Sequence, residues 1–138
     1  MKTQNWMLLQ CTAVEPAAYR RDLITWATEL LNEVLEGEAD GGIELESDET
    51  YTLSVLGRFR AALDRVPEAG DPPGMLAVAV PYGAAADYAA DVARAIGAAV
   101  QHLLDRERLR LGAEAAAALR GMIACQALLQ QIGKDAAA

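Results

Sequence analysis

Six apolar residues between positions 85 and 103 fall alternately four and three apart: Ala85, Ala89, Val92, Ile96, Ala99 and Leu103. Leu111, Ala115, Ala118, Met122, Cys125, Leu129 and Ile132 repeat the spacing further on. A seven-residue repeat lays its apolar side chains along one stripe of a helix, and such a stripe must be covered. Asp87, Asp91, Arg94, Gln101 and Asp105 take the opposite side of the first stretch, as an amphipathic helix requires. The two stretches predict helices over 84–106 and 110–132. Gly112 permits a tight turn between them, so they form an antiparallel hairpin. Arg106, Arg108 and Arg110 near the end of the first complement its dipole.

The front half supplies two more helices. Pro16 fits the first position of a helix, where its missing N–H costs nothing. From there Tyr19, Leu23, Ala27, Leu30 and Val34 recur at helical spacing, widened by Ile24, Leu31 and Leu35. Gly37 is the expected stop, which gives a helix over 16–36. Ser47 or Asp48 can cap the next helix, 48–66, with Val55, Phe59, Ala62 and Val66 on one face and Leu56 and Leu63 beside them. PEAGDPPG (67–74) cannot continue it, because Pro72-Pro73-Gly74 breaks any helix. Residues 133–138 read as a frayed tail after Gly133.

Three short runs are β-prone. MLAVAV (75–80) ends at Pro81-Tyr82-Gly83, NWMLLQCTA (5–13) precedes the first helix, and GIELE (42–46) lies in the acidic connector 37–47. The chain therefore reads as mainly α: a single domain over 1–138, a compact bundle of four helices with room for one to three short strands. The competing reading is α+β with a small sheet. A bilayer span does not fit. The longest uncharged run, 72–86, is fifteen residues with three prolines and two glycines, against the ~20 apolar residues a span needs.

Alanine and aromatic residues are sorted along the chain. Of 29 alanines, 21 follow residue 76, whereas five of seven aromatics precede residue 60. The back half should pack its helices closely, and the front half should supply the bulky core through Trp6, Tyr19, Trp26 and Phe59. Ala89, Ala93 and Gly97 form a ridge of small residues, expected to meet a helix of the same chain, with a homo-oligomer seam as the alternative.

Charge narrows the functional classes. The net charge is −8, which repels nucleic-acid phosphates and anionic lipid and attracts basic partners. Ten of the twenty carboxylates lie between Arg21 and Arg58, where no basic residue occurs. Read from Glu36, the connector partly follows an EF-hand loop: Glu36, Glu38 and Asp40 at positions one, three and five, Gly41 at six, Ile43 at eight, Glu44 at nine. It departs at position one, where Glu replaces Asp, and at twelve, where Ser47 cannot bind bidentately. Glu36, Glu38, Asp40 and Glu44 are thus weak calcium candidates, and a solvated acidic loop is the expectation.

His102, the one histidine, could be a general base oriented by Asp105, but no serine or cysteine stands near it as a nucleophile. A single histidine and two isolated cysteines leave no di-iron or zinc ligand set, and the phosphate-binding and nucleophile-elbow motifs are absent. Arg58 and Arg60 are expected to pair with neighbouring carboxylates rather than to contact nucleic acid. Cys11 and Cys125, each in an apolar stretch, read as reduced thiols of a cytoplasmic protein.

The expectation is a small acidic, non-catalytic protein–protein interaction module: an adaptor, an accessory subunit or an inhibitor of a basic partner, with no cofactor. Glu33, Glu36, Glu38, Asp40, Glu44 and Glu46 are its candidate surface, and the helix stripes would carry any homo-oligomer. The alternative is a small-molecule-binding or catalytic domain with an interhelical pocket near Tyr82, Tyr88 or His102. A calcium-binding helix–loop–helix is the minor alternative.

Overall fold

The computed structural model describes residues 5–11, 14–41, 47–104 and 112–137; for 36–41, 47–50, 104 and 135–137 it describes the backbone. In chain order the elements are β1 (Asn5–Gln10), α1 (Pro16–Gly41), α2 (Ser47–Ala62), β2 (Met75–Val80), α3 (Ala85–Leu104) and α4 (Ala113–Ala137). The fold is mainly α, with four packed helices and one two-stranded antiparallel sheet among the described residues. α1 packs on α2 and α4, and α3 packs on α2 and α4, so the helices form a ring in chain order. The two-stranded sheet lies against the ring, β1 touching α3 and α4 and β2 touching α1 and α2.

Both apolar stripes point inward. Ala89, Val92, Ile96, Ala99 and Leu103 of α3 are buried, as are Ala115, Ala118, Met122, Cys125 and Leu129 of α4. Each fully buried large side chain among them contributes roughly 1.5–3 kcal/mol. The two helices approach closely at Gly97, where a Cβ would come 2.7 Å from Gln126 Nε2. The small-residue ridge therefore meets α4 of the same chain. Gln126 bridges there, donating to the Ala93 carbonyl at 3.0 Å. Across the bundle, a Cβ on Gly121 of α4 would run into the Trp26 ring of α1. Trp26 in turn meets Tyr19 edge-on, with centroids 6.3 Å apart.

β2 is buried from Leu76 to Val80, which is why its sequence is continuously apolar rather than alternating. β1 alternates instead: Met7 and Leu9 are buried while Leu8 is 44% exposed. Leu8 stands opposite Ala77, Trp6 opposite Ala79 and Gln10 opposite Met75.

Several boundaries differ from the expectation. α1 runs through Gly37 to Gly41, so the first part of the expected connector is helical. A mid-helix glycine costs only about 1 kcal/mol, and Leu35, Glu36, Glu38 and Ala39 are good helix formers or neutral. α2 stops at Ala62, and Val66, expected on its core face, is 55% exposed. Val66 precedes Pro67, and the proline ring disfavours the α conformation there. α4 continues past Gly133 to Ala137, replacing the expected frayed tail, because alanine is the strongest helix former. β1 closes at Gln10 rather than 13, although the Cys11 N–H still donates to the Gly74 carbonyl at 2.8 Å. The candidate strand 42–46 and the arginines at 106, 108 and 110 lie outside the described residues. No helix among the described residues is long and apolar enough to cross a membrane.

Candidate functional site

Three features concentrate the polar chemistry: a buried arginine, a groove beside it, and the outer edge of β1.

Arg20 is 7% exposed, on the inward side of α1. Its Nη1 donates to the carbonyls of Leu63 (2.8 Å) and Arg65 (2.7 Å), just beyond the end of α2. Its Nη2 donates to Asp71 Oδ1 (2.7 Å) and to the Ala77 carbonyl (2.7 Å). Asp71 Oδ1 also accepts the Ala77 N–H at 3.0 Å. Arg20 and Asp71 together satisfy the backbone of Ala77 on the side away from β1, where a third strand would otherwise bind. The ion pair is thus a strand-edge clamp and a helix C-cap in one. Sequence reasoning passed over both residues, yet a signal existed. Arg20 stands seven residues before Ala27 and fourteen before Val34, in line with the apolar stripe.

The groove lies between the second half of α2 and the end of β2, with a volume of about 410 Å³. Arg58 and Arg65 line it on the α2 side with Ala61 and Ala62 between them, and Ala79, Pro81 and Tyr82 form the opposite wall. The Arg58 guanidinium carbon sits 5.9 Å from the Tyr82 ring centroid, within cation–π range. Tyr82 meets Tyr88 edge-on at 5.3 Å and donates its O–H to Asp91 at 3.3 Å. Tyr88 is fully buried, and its hydroxyl has no hydrogen-bond partner among the described residues. Burial pushes its pKa up, and the nearby Arg58 charge opposes that shift. Desolvation, followed by the Asp91 charge, likewise raises Tyr82. Arg60 points elsewhere, to Asp64 (2.6 Å) and Thr28 (3.1 Å). Of the two arginines expected to pair with neighbouring carboxylates, Arg60 does so, whereas Arg58 makes no ion pair among the described residues.

The edge of β1 follows from the register of the sheet. Ala77 turns its N–H and C=O to Asp71 and Arg20, so the Leu8–Ala77 pair is not hydrogen-bonded across the ladder. In antiparallel pairing this alternates. Trp6, Leu8 and Gln10 therefore direct their backbone groups to the outer edge, while Met7 and Leu9 bond to β2. The bonds from Cys11 to Gly74 and from Met75 to Pro72 obey the same alternation.

The other candidates are scattered. Glu33 is half-buried on α1, and Glu36, Glu38 and Asp40 stand on helical backbone rather than on the loop an EF-hand requires. Glu44 and Glu46 lie outside the described residues. His102 is half-buried on the last turn of α3, and Asp105 is outside the described residues. Cys11 and Cys125 are free thiols, half-buried and buried respectively. Burial pushes the Cys125 thiol up to about 12, against a lowering by a side-chain hydrogen bond with Tyr19. Tyr82 and Tyr88 are the sequence candidates that the fold does bring together. No family model, no curated protein and no solved structure matches this chain.

Proposed function

We propose that the chain is a non-catalytic interaction module that docks an extended segment of a basic partner protein along the outer edge of β1. The observation that supports this is the chemistry of that edge. Trp6, Leu8 and Gln10 offer a row of backbone donors and acceptors, and NWMLLQ carries no charge, no proline and no bulge. Strand edges that proteins keep solitary are blunted by such devices. Strand addition uses the backbone groups for affinity and alternate side chains for selectivity, and here Trp6 and Leu8 are the alternate side chains. The net charge of −8 selects a partner segment with basic flanks and disfavours a second copy.

Hydrogen exchange of the complex with the co-purifying partner tests the reading. Partner binding is expected to protect the amides of Trp6, Leu8 and Gln10, while Met7 and Leu9, already paired with β2, change little. Leu8→Pro removes one outward N–H and leaves the β1–β2 ladder intact, so it should abolish docking without unfolding the chain. Protection confined to other elements, or docking indifferent to Leu8→Pro, would refute strand addition. A dimer that protects the same amides would replace the basic partner with a second copy.

A further inference from the structure

We propose that the groove between α2 and the end of β2 is a binding site for a small organic anion, a carboxylate or phosphate ester with a short apolar body. This goes beyond the interaction module and uses none of the outer edge of β1.

The argument begins with charge. On a chain of net charge −8, two arginines line one groove, and none of the described residues lining it is a carboxylate. Arg58 stands on α2 and Arg65 three residues beyond its end, and both line the groove. Arg58 makes no ion pair among the described residues; it lies over the Tyr82 ring instead. A cation–π contact of this kind uses the guanidinium face and leaves its N–H donors available for bidentate capture of an oxyanion.

Shape and lining specify the rest of the ligand. The volume of about 410 Å³ falls in the range of small-molecule sites. Ala61, Ala62, Ala79 and Pro81 present methyl and ring carbons, so the floor suits an apolar body of one ring or a few carbons. Small side chains there leave the space that larger ones would fill. Hydrogen bonds tie the surrounding residues in place. Arg20 fixes the Arg65 carbonyl at 2.7 Å, and Asp91 fixes Tyr82 through its hydroxyl. Tyr88 meets the Tyr82 ring edge-on at 5.3 Å and so backs the groove wall.

Heteronuclear NMR titration of the full chain with phenyl phosphate, benzoate, inorganic phosphate and benzyl alcohol tests the site. Saturable shifts at the amides of Ala61, Ala62, Ala79 and Tyr82 are expected with phenyl phosphate or benzoate, and the tighter of the two names the head group. Inorganic phosphate should bind at least tenfold more weakly than phenyl phosphate, because it leaves the apolar wall unused. Benzyl alcohol should not saturate. Arg58→Gln, an exposed position, should weaken binding at least tenfold, the loss of one charge-assisted contact. Arg60→Gln, whose arginine is engaged with Asp64, should leave it unchanged. No saturable shift with either organic anion, equal binding of benzyl alcohol, or indifference to Arg58→Gln would overturn the proposal. Unaltered thermal melts of both variants separate lost binding from lost folding.

Discussion

Arg20 shows how one side chain can hold several elements together. Its two terminal nitrogens make four hydrogen bonds, to two carbonyls beyond α2, to the 67–74 loop through Asp71, and to β2. A charge this buried is costly unless it is paired and hydrogen-bonded, and here it has both a counter-charge and four acceptors. Removing it leaves Asp71, with a side chain only 10% exposed, without its counter-charge and orphans three carbonyls. Arg20→Met should therefore lower unfolding free energy by about 3–5 kcal/mol in urea melts, a large part of the roughly 5–15 kcal/mol typical of a domain. Asp71→Asn keeps an acceptor for the Ala77 N–H and should cost less, about 1–3 kcal/mol. Equal effects of the two would show that the carboxylate, and not the arginine's reach, is the critical partner. Arg20 was legible as a charge in line with an apolar stripe. Its four acceptors were not, because they lie 43 to 57 positions away in the chain.

Between elements, two glycines mark close approaches with different consequences. Gly121 of α4 faces the Trp26 indole of α1, a rigid group locked against Tyr19. Gly121→Ala should destabilise by about 1–3 kcal/mol, the cost of overpacking, despite alanine's better helix propensity. Gly97 faces the far end of Gln126, which can swing aside. Gly97→Ala loses one partly buried hydrogen bond of about 0.5–1.5 kcal/mol and gains about 1 kcal/mol of helix propensity, so it should be nearly neutral. Thermal melts of the two variants check the contrast, and equal losses would contradict it. The stripes of α3 and α4 were readable because seven-residue periodicity belongs to the helix itself. The end of α2 was less so. Val66 continued the pattern, but Pro67 and the capture of the Leu63 and Arg65 carbonyls by Arg20 end the helix sooner.

For the molecule as a whole, buried acidic protons set the response to alkali. The Cys125 thiol, ordinarily near 9.0, is held up to about 12 by burial, and Tyr19 and Tyr88 are held above their ordinary 10.0 for the same reason. The unfolded chain releases these protons first. The stability they confer is complete below pH about 9 and is lost as pH climbs towards 12. Urea midpoints should fall steadily above pH 9, and Cys125→Ala should flatten the first part of that fall whatever its effect at pH 7. A stability independent of pH up to 11 would show that these groups are not buried as protonated species. By itself the sequence determined four helices, the β-prone runs MLAVAV and NWMLLQCTA, the latter three residues too long, and which face of α3 and α4 turns inward, because local periodicity and turn chemistry fix those features within a few residues of chain. Only the tertiary structure decided that the two strands pair with Leu8 opposite Ala77, that Arg58 and Arg60 part company, and that Arg58, Arg65 and Tyr82 line one groove. Those outcomes depend on contacts between segments remote in the chain, whose geometry no local pattern encodes.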